Sequence, residues 1–393
     1  MGRKDHLLQT FLYAVSFLGQ TAISVVNLGM VFFLKNTLGL RAELVGIFAA
    51  SCSVTYCISL ILGKQIVTSL KPLHALGIST AGMIACTAGI VLLEHPAAAL
   101  VLYLCFGFFM ALFWPPIMGW ISRGRESRDL GRSISRFNVS WGIGIIVGPY
   151  VAGLISEVSP ARALWAAAGI FAFVCVIAAI ASTFIADVRT APSRKTLKRT
   201  SIPADASTPL RYLCWVGLFT GYFIFGISMN VFPMFAMDVL AYPESRIGFL
   251  LFLRGVTSAF GFYLLGRTHY WHGSVRSIFT LQAITSLLGI FLALSLGYAG
   301  LIVFMLIFGL CFSHLYSFSI YHGVSGSVDR EFRMALHEAV LTSGIFLGSS
   351  LGGVLYAQAG FQWTMVLSAA VGFLGLCIQV ALYRSRIKTD TAL

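Results

Sequence analysis

Twelve apolar runs constrain this chain more than any other feature. They fall at about 8–34, 44–63, 75–93, 97–121, 136–158, 163–186, 211–237, 246–266, 277–297, 299–323, 333–357 and 361–383. A helix needs roughly 20 apolar residues to cross the hydrocarbon core of a bilayer, so twelve crossings use about 240 residues. Composition agrees: 58% of the chain is hydrophobic and 10% charged, whereas a soluble domain carries about 25% charged residues. The solvent for most of this surface is therefore lipid. Arg3 and Lys4 precede the first run in the manner of a signal peptide, but the run is too long for one and no small-residue cleavage site follows. It is expected to be retained as the first membrane helix.

The net charge of +13 would suggest nucleic acid in a soluble protein. Here the basic residues sit in short loops without stacking aromatics beside them, the pattern of a positive-inside bias. With the N-terminus placed in the cytosol, 22 Lys and Arg fall on the cytosolic side and four, Lys35, Arg41, Arg162 and Arg246, outside. That asymmetry predicts two cytosolic termini and an even number of spans in the inner membrane. The eight cysteines lie in or beside apolar runs and form no CxxC pair, so neither a zinc site nor a disulfide framework is expected. No cofactor is implied.

The longest polar stretch, Asp187 to Pro209, holds three prolines and divides the spans six and six. The expected organisation is a bundle over 1–187, a linker over 188–210 and a second bundle over 211–393. The halves repeat at a nearly fixed offset. Gly19 and Gly221, and Gly46 and Gly248, are 202 apart; Gly63 and Gly266 are 203 apart. Gly144, Gly148, Ala152 and Gly153 in span 5 match Gly344, Gly348, Gly352 and Gly353 in span 11. Repeats of six spans have parallel topology, related by an axis along the membrane normal.

On these features the chain resembles the major facilitator superfamily, over its whole length. Gly144, Gly148, Pro149 and Gly153 are similar to that family's antiporter signature, with Ala152 in place of one glycine. Small residues there let helices 5 and 8 approach closely, and Pro149 bends the helix. Gly63 to Lys71 resembles the family's loop after span 2 but lacks its acidic residue, as does Gly266 to Arg276. The resemblance implies a helical membrane fold of two six-helix bundles and a cavity lined by spans 1, 4, 7 and 10.

Charge inside lipid costs roughly 3 kcal/mol or more at a helix centre, so intramembrane ionisable residues are the first functional candidates. Arg254 lies near the middle of span 8, and its repeat counterpart is the uncharged Cys52. A guanidinium offers a fixed fork to carboxylate or phosphate; a structural ion pair is the alternative. Thr257, Ser258 and Gly261 follow on its face, which is expected to line a wet cavity. His314 in span 10, with Phe318 and Tyr321 on its face, is a substrate or proton ligand or a buried hydrogen-bonder. Glu338, with His337 before it, stands inside span 11 as a candidate proton carrier, or pairs with Arg330 or Arg333.

Gln20, Ser24 and Asn27 share one face of span 1. Asn230 with Pro233 interrupts span 7, and Trp114-Pro115-Pro116 bends span 4. Bent helices often flank midplane binding sites and also serve packing alone. The expected function is alternating-access transport of a small organic anion or amphipathic metabolite by a monomeric carrier, coupled to protons or another ion. The alternatives are a proton-antiport exporter of non-anionic compounds, and an intramembrane lipid-modifying enzyme built around His269, Tyr270, Trp271 and His272. Membrane lipids are expected neighbours and nucleic acid is not.

Overall fold

A computed structural model describes residues 3–62, 72–122, 127–184, 208–268, 270–294, 297–325, 327 and 330–387. The loop 63–71, most of the linker 188–210, His269 and the side chain of Arg330 lie outside the described residues. Twelve helices are long and apolar enough to cross a membrane, and among the described residues there is no strand.

The helices run α1 (Arg3–Phe32), α2 (Ala42–Leu62), α3 (Pro72–Leu93), α4 (Pro96–Ser122), α5 (Ser127–Val158) and α6 (Pro160–Phe184). The seventh span, α7, begins as Leu210–Gly226, passes through a π turn at Ile227–Val231 and ends as Phe232–Asp238. Then follow α8 (Glu244–Arg267), α9 (Val275–Leu294), α10 (Tyr298–Val324), α11 (Arg330–Ala359) and α12 (Phe361–Leu382). Each sits within a few residues of its apolar run except α5, which begins nine residues ahead of its run. Leu92, Val101, Phe173, Ile180, Leu294 and Leu374 are exposed, as expected of side chains facing lipid rather than water. Water-free surroundings oblige backbone N–H and C=O groups to pair within their own helix, which is why these runs fold as continuous helices.

Packing divides the chain into two compact units. One comprises Met1–Leu40, Ser51–Leu197 and Ala241–Phe252; the other comprises Arg41–Ala50, Lys198–Leu240 and Leu253–Leu393. In the first, α1 packs on α5 and α6, and α3 on α4 and α6. In the second, α7 packs on α10, α11 and α12, and α9 on α12.

The sequence repeat reappears as repeated helix contacts. A Cβ added at Gly144 would lie 2.8 Å from Gln20 Cβ, and one at Gly344 would lie 3.0 Å from Tyr222 Cβ; Tyr222 stands 202 residues after Gln20. Gly107 abuts the Cys52 carbonyl and Gly309 abuts the Arg254 carbonyl, again 202 apart on both sides. A Cβ at Gly248 would come within 2.5 Å of the Pro149 carbonyl oxygen, and one at Gly46 within 2.5 Å of that of Ser349. Each approach is one that only a residue without a side chain permits. The α5–α8 contact at Gly153 and Gly248 is the close approach that the span-5 glycines imply.

Candidate functional site

Arg254 is the largest fully buried side chain among the described residues, 1% exposed. Its helix, α8, carries it into the second unit against α7 and α10. The guanidinium carbon sits 4.6 Å from the Phe225 ring centroid and 5.7 Å from that of Phe312. Nη2 reaches only the Met229 sulfur, at 3.5 Å, a weak acceptor. Nε has no hydrogen-bond partner. Among the described residues, no carboxylate forms an ion pair with this guanidinium. Cation–π contacts return about 2 kcal/mol when desolvated, against a burial cost of roughly 3 kcal/mol or more. The charge is held in place without being neutralised.

Around it runs a continuous aromatic wall. Phe225 and Phe312 stack at 5.0 Å, Tyr222 lies 4.9 Å from Phe312 and 5.4 Å from Phe225, and Tyr316 lies 6.4 Å from Tyr222. Tyr222 is also within electrostatic reach of both Arg254 and Glu338, and Tyr316 of Glu338. Glu338 is half-buried on α11, and its side chain forms no ion pair or hydrogen bond among the described residues. Beside it, His337 is buried. Its Nδ1 pairs with Ser319 Oγ at 2.8 Å, its ring lies 5.2 Å from Tyr316, and its Nε2 is unpartnered. The structure thus gathers one unpaired cation, four aromatic rings and one unpaired carboxylate in the second unit.

The face that follows Arg254 on α8 departs from expectation. Ser258 Oγ donates to the carbonyls of Arg254 and Gly309, and Thr257 Oγ1 to that of Arg254. Gly261 abuts Ser313. These small residues serve the close approach of α8 to α10 rather than lining a cavity, because backbone carbonyls take up their hydroxyls.

His314 is brought to a different neighbourhood. Its Nδ1 donates to the Leu310 carbonyl at 2.8 Å, leaving Nε2 to accept from Tyr270 Oη at 2.9 Å. Tyr270 belongs to the α8–α9 connection. In that connection Trp271 stacks on Phe318 at 5.2 Å and His272 on Tyr321 at 4.1 Å. Asn230, inside the π turn, donates to Ser349 Oγ at 2.7 Å. In the first unit, Gln20 donates to Ser24 Oγ at 3.1 Å and Asn27 accepts from Tyr103 Oη at 3.1 Å. Trp114 packs edge-on to Phe113 at 4.9 Å. The span-4 helix runs unbroken from Pro96 to Ser122. Asp238 accepts from Tyr356, and Glu244 from Asn36. Among the described residues no group of three or more His, Cys, Asp or Glu side chains stands close enough to hold a metal.

Sequence reasoning did not find Tyr222, Phe225, Phe312 or Tyr316, since aromatic residues are common in lipid-embedded helices. One signal pointed at Tyr222: it is the repeat counterpart of Gln20, which the polar face of span 1 singles out.

The fold has close parallels among solved structures. The nucleoside transporter NupG superposes with a TM-score of 0.75 at 14% identity, covering 96% of this chain and 100% of that one. A bacterial homolog of the human lysosomal transporter Spinster gives 0.74 at 13% identity, over 99% of each chain. A POT family transporter in complex with a thioalcohol-conjugated peptide gives 0.73 at 14% identity, over 96% of each chain. At such identities the likeness is one of fold. No curated protein matches the sequence. The sequence model of the Major Facilitator Superfamily matches residues 10–325. With that match spanning most of the twelve-helix chain, this multi-pass membrane protein belongs to the Major Facilitator Superfamily of transporters.

Proposed function

We propose that the protein moves a small organic anion or amphipathic metabolite across the cytoplasmic membrane by alternating access. Arg254 holds the anionic group, and Glu338, beside His337, carries a coupled proton. The carrier acts as a monomer, with both termini in the cytosol and with 1–187 and 211–393 as its two moving bundles. The observation that carries this reading is the buried guanidinium without a carboxylate: the missing anion is supplied by the cargo. Support for the proton comes from Glu338, an unpaired carboxylate within electrostatic reach of Tyr222, which is also within reach of Arg254. An anion entering beside Arg254 changes the field at Glu338, and the field of an ionised Glu338 opposes the entry of that anion. Loading the anion therefore favours loading the proton.

The remaining polar residues, Asn230, His314 and Tyr321 in one unit and Gln20, Asn27 and Trp114 in the other, contribute to substrate selection. Gly144, Gly148, Pro149 and Gly153, with Gly344 and Gly348, provide the sliding contacts of the transport cycle. Purified protein in proteoliposomes tests this directly. Uptake and counterflow of labelled organic anions are expected with wild type and absent with Arg254→Ala. Normal anion transport by a correctly inserted Arg254→Ala protein would exclude the anion site.

A second reading, a proton-antiport exporter of uncharged or cationic compounds, draws on the close α1–α5 approaches at Gly144 and Gly148. The direction of flux under an imposed proton gradient separates the two: symport concentrates substrate on the acid-opposed side, and antiport expels it.

A further inference from the structure

The surroundings of Arg254 say more than that its ligand is an anion. A guanidinium has two flat faces and an edge of N–H donors lying in its plane. Here Phe225 at 4.6 Å and Phe312 at 5.7 Å approach the guanidinium carbon from one side, their centroids only 5.0 Å apart. On the edge, Nε is unpartnered and Nη2 touches only a thioether. The free edge suits a carboxylate, which takes two parallel N–H donors. What lies next to that carboxylate is ring after ring. Phe225 and Tyr316 are half-buried, whereas Tyr222 and Phe312 behind them are buried. The accessible part of the wall is therefore aromatic as well.

Among the described residues only one cation faces this wall, so a doubly charged phosphate would leave charge unbalanced in an apolar setting. A sugar acid carries more hydroxyls than the two tyrosines of the wall could pair. Resting on the anion-site reading above, we infer that the substrate is a monocarboxylate carried on a flat aromatic ring, and that Phe225 is the residue that selects it. In the empty carrier the Phe225 ring covers the guanidinium. In the loaded carrier it stacks on the substrate while the carboxylate takes the guanidinium edge.

Binding to the full-length protein in detergent tests this, with three probes: benzoate, cyclohexanecarboxylate and inorganic phosphate. The first two share charge and size and differ in the ring face. Aromatic pairing contributes about 0.5–1.5 kcal/mol beyond burial, so benzoate is expected to bind about three- to tenfold more tightly than its saturated analogue. Phe225→Leu should remove that preference and leave cyclohexanecarboxylate affinity within about twofold of wild type, on the same scale of one lost ring contact. Phe225→Tyr, which keeps the ring, should retain the preference and guards against a folding defect in the leucine variant. A merely structural role for Phe225 would weaken both carboxylates alike.

Equal binding of benzoate and cyclohexanecarboxylate, both lost in Arg254→Ala, overturns the ring inference and leaves the anion site standing. Tighter binding of phosphate than of either carboxylate does the same. If no probe binds in a manner that depends on Arg254, the anion site itself falls, and the ring inference with it.

Discussion

Replacing Arg254 by methionine is expected to make the protein more stable while abolishing transport. Methionine keeps an unbranched apolar stem of similar reach and discards the charge. The buried guanidinium costs roughly 3 kcal/mol at a helix centre. Its contact with Phe225 at 4.6 Å returns about 2 kcal/mol, and the longer one with Phe312 at 5.7 Å, near the ~6 Å limit, about 0.5 kcal/mol. No ion pair adds to that return among the described residues, so the variant should gain about 0.5 kcal/mol from the difference of these quantities. An arginine held by a carboxylate would behave oppositely, since removing one partner of a buried pair costs about 3–5 kcal/mol. The sign of the change, more than its size, separates a charge kept for cargo from a charge kept for architecture. Denaturation followed by intrinsic tryptophan fluorescence in detergent, alongside uptake in proteoliposomes, reads both quantities. A variant less stable by 3 kcal/mol or so, the scale of a broken buried pair, would refute the reasoning.

Glu338→Gln should abolish accumulation driven by a pH gradient while preserving substrate counterflow, which needs no net proton movement; full pH-driven accumulation would remove Glu338 from the coupling path. Gly344→Ala places a Cβ 2.7 Å from the Phe219 carbonyl oxygen and 3.0 Å from Tyr222 Cβ, neither the far end of a flexible side chain. That overpacking should destabilise by about 1–3 kcal/mol. Gly77→Ala, with nothing within 4 Å, is the control and should gain about 0.5–1 kcal/mol from helix propensity; equal midpoints for the two would contradict the close α7–α11 approach. Asn230→Ala strands Ser349 of a buried hydrogen bond and should cost about 1–3 kcal/mol, measured by the same unfolding assay.

The twelve spans could be read from sequence because lipid imposes one rule on every residue of a crossing segment: apolar for about 20 residues, with the backbone paired internally. The repeat could be read because glycines mark close helix approaches, and such approaches tolerate nothing larger. Arg254 stood out because charge in lipid is rare. Its neighbours did not, because they come from α7 and α10, and nothing in a run of phenylalanines and leucines records which one faces a given guanidinium. The Thr257–Ser258–Gly261 face reads equally well as polar lining or as small packing. Only the carbonyls of Arg254 and Gly309 decide for packing. His314 was visible, but its partner Tyr270 lies 44 residues away in a short connection, beyond any helical periodicity. The degenerate loop motif from Gly63 to Lys71 lies outside the described residues.

The π turn in α7 has a mechanical meaning. A π turn holds one more residue than the helix around it needs, much as a dislocation holds one extra row in a crystal. Such a defect moves along its helix by exchanging one hydrogen bond for the next, without breaking the coil. Each step turns the residue it passes by about 100° around the axis while the segments on either side keep their orientation. Here the defect lies directly after Gly226, next to Phe225, and contains Asn230, which is tethered to α11 through Ser349. On the proposed binding mode, a ligand that tilts Phe225 acts beside this defect, and the Asn230–Ser349 hydrogen bond ties the defect to the helix that bears Glu338.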